Sequence, residues 1–247
     1  MASFINDNGF DTKLNRGVFY GHRGPGNLID GIALIGHSTL IEARSDDAVR
    51  AFAITARSSA TPIHLVMSAG EGIDGFWRSF RGNAVPRLRC EELLFEASFP
   101  FPVRKCEWNV CPADMTQLVQ IAEAQAEIAF AECGIDPMVR DRDGFLKRVA
   151  RRIEQGRVFS VYQDGILIFK ADIIAESDEV AYLEGIYVDP RHRGKGIGPA
   201  CLSQLTVILL GRVSNVCMLS NVDFTGAHRS FARAGFVASD KWVTFFV

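Results

Sequence analysis

The chain of 247 residues lacks any apolar run near the roughly 18 residues that a membrane span needs. It also lacks a charge imbalance, since 27 basic residues stand against 29 acidic ones. No whole-molecule field would therefore draw the protein to nucleic acid or to an anionic membrane. The first residues, MASFINDNGF, contain no charged leader followed by an apolar core. We expect a cytoplasmic protein that binds neither nucleic acid nor a membrane.

Several chemistry-bearing motifs are also missing. The six cysteines form no CxxC pair and no even framework, which is typical of a reduced protein. The five histidines show no metal-ligand spacing, so we expect no metal site. Neither a GxSxG motif nor a GK[ST] phosphate loop is present. A nucleotide-binding P-loop enzyme is therefore not indicated.

The pattern of strands and helices predicts two domains, 1–100 and 101–247, joined by a linker that contains Pro100 and Pro102. Residues 1–10 show no periodicity, and we expect a loose tail there. The rest of the first domain is predicted as a strand pair, a third strand, a helix, a strand, a helix and a strand. Ser45 is the predicted N-cap of the first of these helices.

The second domain is predicted to begin with two helices. A capping box of Asp114 and Gln117 opens the first, and Gly134 ends it. The second covers 143–155 and precedes three strands. A glycine-rich loop, a helix over 197–210, a strand, a helix over 227–234 and a closing strand over 242–247 complete the order.

The glycine-rich loop RGKGIG, from Arg193 to Gly198, leaves an apolar strand and opens a helix. Backbone N–H groups have no intrahelical partners at such a position, and the glycines let a ligand approach closely. Arg191, Arg193 and Lys195 concentrate positive charge there, with His192 beside them. The loop therefore predicts a binding site for a polyanion.

The segment EGIYVDPRHRGKGIG and the order of elements around it resemble the GNAT acyltransferase family. The resemblance implies an α/β fold, with a mixed, mostly antiparallel sheet flanked by helices. It also implies acetyl-CoA as co-substrate, its pyrophosphate held by the loop amides and its pantetheine arm paired with the preceding strand. Pro199 departs from the family because it has no N–H to offer. The residues so assigned to acetyl-CoA are Ile186, Tyr187, Val188, Arg191, Arg193, Gly194, Lys195, Gly196, Ile197, Gly198 and Asn221.

The family also suggests acid and base groups. Glu184, in the otherwise apolar strand VAYLEGIYV, matches the glutamate that acts as base in several GNAT enzymes, although a purely structural carboxylate stays open as an alternative. Phe231 replaces the usual acidic tyrosine, and Phe224 replaces an asparagine that contacts the pantetheine arm. Tyr187 is assigned as the acid, with Tyr182 and His228 as equal candidates. Strand packing of the tyrosines and an exposed helix face for the histidine stay open as alternatives.

We therefore expect an N-acetyltransferase that moves an acetyl or short acyl group from acetyl-CoA to an unidentified primary amine. The alternative is a GNAT module that binds or senses acyl-CoA without chemistry. The first domain repeats the later order of elements, but RSDDAV stands where a phosphate loop would need glycines. We expect it to be a degenerate GNAT-like half that does not bind CoA. The sequence leaves a homodimer open.

Overall fold

The computed structural model describes residues 1–70, 72–101 and 107–247. Pro102 of the predicted linker lies outside the described residues. The described residues form two compact units, and each unit contains more than one segment of the sequence. The first unit contains Met1–Leu94, Ser220–Asp223 and Ser239–Val247, and the second contains Phe95–Leu219 and Phe224–Ala238. Separate domains over 1–100 and 101–247 stay a prediction.

The first unit contains a sheet and two amphipathic helices, α2 and α3. Its elements are α1 (Ala2–Asn8), β1 (Gly17–Arg23), β2 (Ile29–Gly36), β3 (Ser38–Ala43), α2 (Asp46–Arg57), β4 (Leu65–Ala69), α3 (Gly72–Arg81), β5 (Leu88–Ala97) and β11 (Val237–Phe246). Their sheet order is β1-β2-β3-β4-β11-β5, in which β3 and β4 run parallel and β4 pairs with β11 in the antiparallel sense. Ser45 caps α2 as predicted, because its Oγ accepts a hydrogen bond from Ala48 N at 3.1 Å.

The expectation of a loose tail was wrong, because residues Ala2–Asn8 form the helix α1. Local side-chain hydrogen bonds hold this segment in place, and such bonds produce no hydrophobic periodicity in the sequence. Asn15 Nδ2 donates to Gly9 O at 2.9 Å, and Asn8 Nδ2 donates to Asn15 Oδ1 at 2.9 Å. The ring of Phe10 lies 5.3 Å from that of Phe19 on β1. These contacts attach the segment to the first unit.

The core of the first unit is aromatic. Phe52 on α2 and Phe76 on α3 are buried against the sheet. Phe245, near the end of the sequence, completes this core, and its ring meets that of Trp77 edge-on at 5.1 Å. The closing strand begins earlier than the predicted 242–247, at Val237. Its first residues are exposed and show no apolar alternation, so the sequence did not indicate where it starts. A strand from the far end of the sequence thus supplies part of the first unit.

The elements of the second unit are β6 (Cys111–Pro112), α4 (Leu118–Cys133), α5 (Pro137–Arg140), α6 (Arg142–Glu154), β7 (Val158–Gln163), β8 (Ile166–Glu176), β9 (Val180–Val188), α7 (Ile197–Leu210), β10 (Asn215–Asn221) and α8 (Thr225–Arg233). From α4 to α8 they follow the predicted order, with the short elements β6 and α5 added and the predicted closing strand placed in the first unit. The capping box of Asp114 and Gln117 is present, and Gly134 ends α4 with a left-handed φ of 71°.

The sheet of the second unit has the order β10-β9-β8-β7-β6. Its pairings are antiparallel except for the parallel pair β9 and β10, which α7 connects. This confirms the predicted α/β class with a mixed, mostly antiparallel sheet. None of the helices in the described ranges is both long enough and apolar enough to span a membrane.

The two halves of the chain repeat one topology. The first runs β1, β2, β3, α2, β4, α3, β5, and the second runs β7, β8, β9, α7, β10, α8, β11. In both, an antiparallel meander leads through a helix to a strand parallel to the third one. The internal repeat inferred from the sequence is therefore present in the fold.

Candidate functional site

The parallel strands β9 and β10 separate part of the way along their length. Pairing joins Val180–Leu183 to Asn215–Met218, whereas β9 continues to Val188. From Glu184 onward the edge of β9 that faced β10 is no longer paired with it. Unpaired backbone N–H and C=O groups need other partners. An extended ligand could supply them by pairing with this edge.

A bulge in β9 lies at the point of separation. The register pairs Lys170 of β8 with Tyr187 and next pairs Asp172 with Glu184. Over this step β9 therefore has one residue more than β8, which bends the bulged strand. Gly185 lies inside the bulge with a left-handed φ of 60°, a conformation that favours glycine. The bulge sets the direction of the backbone that follows Glu184.

The predicted phosphate loop enters α7 through two left-handed glycines. Gly194 has φ 77° and Gly196, the N-cap of α7, has φ 84°. Among the described residues, no side chain caps this helix start, so the first-turn N–H groups of Ile197 and Gly198 have neither an intrahelical acceptor nor a capping side chain. Pro199 has no N–H, yet it is tolerated in the first helical turn. The helix dipole adds positive potential at this open end, which suits a phosphate group.

The segment that leads from β9 into the loop is anchored on Asp189, the first residue after the strand. This buried carboxylate accepts hydrogen bonds from Arg191 N at 2.8 Å, from Arg191 Nη2 at 2.8 Å and from His192 Nδ1 at 3.2 Å. The Arg191 side chain is the main reason that the pKa of Asp189 lies far below its usual range. The Arg191 guanidinium is thus engaged within the protein, and its predicted contact with phosphate stays a prediction.

The other two cations of the loop differ in their surroundings. Arg193 Nε donates to Val188 O at 3.0 Å, and its Nη2 lies 3.6 Å from Glu127 Oε1. Lys195 is exposed, and the described residues offer it no ion-pair partner. Of the predicted phosphate ligands with charged side chains, Lys195 is the one whose charge is most available to an anion.

Glu184 lies in a partly buried setting on β9, opposite Asp172 on β8. Burial raises the pKa of its carboxyl, while a hydrogen bond from Tyr182 and the cations Arg152 and Lys170 act in the opposite direction. A carboxylate with a raised pKa accepts protons more readily than an ordinary glutamate. The environment therefore suits a general base.

A buried charge cluster, which the sequence reasoning did not identify, lies beside Glu184. Lys170 and Asp172 are 0% and 1% exposed, and Lys170 Nζ lies 2.8 Å from Asp172 Oδ1. Arg152 Nη1 donates to Asp172 Oδ2 at 2.7 Å. The signal that could have found the pair is a lysine and an aspartate inside the apolar run ILIFKADIIA, since unpaired charges are not buried.

Tyr187, the predicted acid, is 8% exposed and packs in the core beneath α4. Its hydroxyl donates to Glu127 Oε2 at 3.4 Å. Burial raises the pKa of Tyr187 to about 12, and the nearby carboxylates Glu127 and Asp189 act in the same direction. The phenol therefore keeps its proton at neutral pH. Its role as a donor to a departing thiolate stays a prediction.

The two phenylalanines that depart from the family pattern differ in burial. Phe231 is 6% exposed, and its ring meets that of Phe95 at 5.3 Å with His228 nearby. This aromatic cluster explains why an apolar side chain occupies the position. Phe224 is 37% exposed just before α8. Asn221 belongs to the first unit, where its Oδ1 accepts from Asp223 N at 2.9 Å, and its contact with acetyl-CoA stays a prediction.

The corresponding helix start in the first unit has different chemistry. Ser45 Oγ occupies the N-terminus of α2, and Asp46 and Asp47 occupy its first turn. Ser45 Oγ also donates to Asp30 Oδ2 at 2.7 Å. Carboxylates repel phosphate, and the capping hydroxyl already satisfies an N–H group there. This supports the prediction that the first half does not bind CoA.

A splayed parallel pair, a bulge at the point of separation and a glycine loop opening a helix together define an acyltransferase-type fold. Comparison with family models agrees, because residues 116–236 match the model of the acetyltransferase (GNAT) family. Residues 116–236 thus form a GNAT-family domain. No curated protein matches the chain significantly.

Solved structures share the fold over nearly the whole chain at low sequence identity. A GNAT-family acetyltransferase from Colwellia psychrerythraea has a TM-score of 0.60 and 14% identity, covering 98% of this chain and 89% of that one. A Drosophila protein has a TM-score of 0.65 and 11% identity, with coverages of 99% and 93%. A tandem GNAT protein of the clavulanic acid biosynthesis pathway has a TM-score of 0.55 and 12% identity, with coverages of 91% and 80%.

Proposed function

We propose that the second unit transfers an acetyl or other short acyl group from acetyl-CoA to a primary amine. The observation that carries this proposal is the uncapped helix start at Gly196 beside the unpaired edge of β9. These two features offer donors for a pyrophosphate and a backbone partner for an extended amide chain such as pantetheine. Family membership supports the same conclusion.

In this proposal acetyl-CoA meets three parts of the site. Backbone N–H groups from Gly194 to Gly198 bind the pyrophosphate, and Lys195 adds a positive charge. Ile186, Tyr187 and Val188 pair through their backbones with the pantetheine arm. Arg191 and Arg193 act mainly by holding the loop, since each already donates to the protein.

Glu184 is the proposed base, acting directly or through a water molecule. An amine is mostly protonated at neutral pH, and its nitrogen can attack only after losing a proton. The new N–C bond forms at the acyl carbon as the C–S bond breaks, and the electron pair leaves with the CoA sulfur. Tyr187 is the proposed proton donor to that sulfur. A thiol has a pKa of about 8.5, so departure does not require a strong acid.

A second candidate function is an acyl-CoA-binding module with little or no catalysis. The observation that favours it is the apolar setting of Phe231, which removes the usual phenol and leaves an aromatic cluster in its place. Acceptor-dependent release of free CoA separates the two functions. A cytoplasmic location and a homodimeric state stay predictions.

The proposal is tested by calorimetric titration of the protein with acetyl-CoA and with CoA. Gly196→Asp places a carboxylate at the open helix start, and we expect it to abolish binding. Gly156→Asp is the matched control, because Gly156 is also exposed, has φ 67° and has open space around its Cα. Both variants carry the same added charge and the same left-handed strain of about 1–2 kcal/mol.

Binding by the wild type and by Gly156→Asp, but not by Gly196→Asp, would support the loop as the CoA site. Thiol release from acetyl-CoA with a panel of primary amines would then identify an enzyme. A wild type that binds neither acetyl-CoA nor CoA would refute the proposal. Binding without thiol release for any amine would favour the second candidate function.

A further inference from the structure

Lys170 is a fully buried ammonium with partners on three elements. Besides its ion pair with Asp172, its Nζ donates to Gln125 Oε1 at 2.6 Å and to the backbone oxygen of Gly185 at 2.9 Å. An ammonium has three N–H donors, and these two hydrogen bonds use two of them. The side chain therefore joins β8, α4 and the bulge of β9 through one atom.

Stability alone gives little reason for this arrangement. Burying a charge costs free energy, and apolar side chains of similar volume often replace a buried ion pair with no loss of stability. The residues around Lys170 on β8 are indeed apolar, for example Phe169 and Ala171. What an apolar side chain at position 170 could not provide is a donor to the Gly185 carbonyl.

The bulge is tightly packed around Gly185. A Cβ on Gly185 would lie 2.8 Å from Lys170 Nζ and closer still to Gln125 Oε1. The ammonium, the amide and the glycine are thus packed against one another. Glu184 immediately precedes this glycine and Ile186 immediately follows it. Any change in the position of the Gly185 carbonyl would be transmitted to both.

We propose that Lys170 is a positioning residue for acyl transfer: by holding the Gly185 carbonyl it fixes the bulge that orients the Glu184 carboxylate and the Ile186 backbone. The inference rests on the proposed function of the same site. Asp172 and Gln125 hold the ammonium in place, and Arg152 binds the second oxygen of Asp172. Lys170 itself touches no reacting atom in this scheme.

The ammonium also acts on Glu184 through its charge. The groups that face Glu184 are Lys170 and Asp172 from β8, Arg152 from α6 and the hydroxyl of Tyr182 from its own strand. Lys170 lowers the pKa of Glu184, so removing the ammonium should raise that pKa. A base with a higher pKa is protonated up to a higher pH, and the acid limb of the rate profile should move upward accordingly.

The test compares Lys170→Met with Lys147→Met, which removes an exposed lysine on α6. Rates are measured with acetyl-CoA and the best amine of the panel across a range of pH. In Lys170→Met we expect kcat to fall by about tenfold or more, because small misplacements of catalytic groups have large effects on rate. We expect KM for acetyl-CoA to rise as well, because the Ile186 backbone pairs with the pantetheine arm, and we expect the acid limb to move to higher pH. Lys147→Met should match the wild type.

A double variant, Lys170→Met with Asp172→Leu, covers the case in which the single variant does not fold. It removes both buried charges, so we expect it to fold, to keep the acid limb near its original pH and still to lose kcat. A folded Lys170→Met or double variant with wild-type kcat would overturn the inference. If the proposed function is wrong, the wild type itself will not consume acetyl-CoA. The inference about Lys170 is decided instead by the ratio of kcat between each variant and the wild type.

Discussion

Replacing Gly185 with alanine tests whether the bulge of β9 is as tightly packed as the contacts indicate. The new Cβ would adopt a left-handed φ of 60° and would lie 2.8 Å from Lys170 Nζ. Gly134→Ala is the matched control, because Gly134 has φ 71° and nothing within 4 Å of its added Cβ. The two variants share the backbone strain and differ in the steric conflict.

The expected losses of unfolding free energy follow from these two terms. Left-handed strain costs about 1 kcal/mol in either variant. Gly185→Ala must also displace the hydrogen bonds of a buried ammonium, which contribute roughly 1.5 to 3 kcal/mol. We therefore expect losses of about 1 kcal/mol for Gly134→Ala and roughly 2.5 to 4 kcal/mol for Gly185→Ala.

Urea unfolding followed by far-ultraviolet circular dichroism measures both losses under the same conditions. The free energy at zero urea and the slope should be compared, since only a change at constant slope reports stability of the same transition. Equal losses in the two variants would refute the packing argument. Equal losses would also weaken the inference that Lys170 holds the bulge.

Three further predictions concern separate parts of the molecule. Glu184→Gln should lower kcat and remove the acid limb of the rate profile while calorimetry shows nearly unchanged CoA affinity; an active variant would exclude Glu184 as the base. The pKa of Asp30 is lowered, mainly by a hydrogen bond from Ser45 and next by one from His22. The stability that Asp30 contributes is therefore present above its unfolded-state pKa, and it is lost as the pH falls through its folded-state pKa. Asp30→Asn should thus lower the melting temperature at neutral pH, with a difference that shrinks in acid; a constant difference would contradict this. Phe245→Ala should destabilise the first unit by about 3–5 kcal/mol, seen as reduced hydrogen-exchange protection of α3, and undiminished protection there would contradict the assigned core.

Local signals in the sequence predicted most of the fold. Alternating apolar residues, the N-cap Ser45, the capping box at Asp114 and the ending glycine Gly134 each act within a few positions, so they can be recognised without the structure. The loop from Arg193 to Gly198 could be recognised for the same reason, since its glycines and charges are consecutive.

Interactions between distant positions could not be predicted in this way. Lys170 reaches Gln125 and Gly185 through the folded sheet, and only the fold shows that its charge is enclosed. One local interaction was also missed, because the engagement of Arg191 by Asp189 depends on backbone geometry rather than on residue types. The pairing of Phe245 with Val66 crosses most of the chain, and no periodicity within either strand indicates its partner.

The place of β11 in the first unit has a consequence for biosynthesis. Strand β4 pairs with β11 along Leu65–Ala69, so this edge of the first unit has no partner until the last strand has been made. Domains usually fold in order as they emerge from the ribosome. Here β4 must wait for β11, and until β11 is made the unpaired edge of β4 is open to chaperones or to other nascent chains. A fragment that ends near residue 100 should therefore be prone to aggregation and should not reproduce the fold of the first unit.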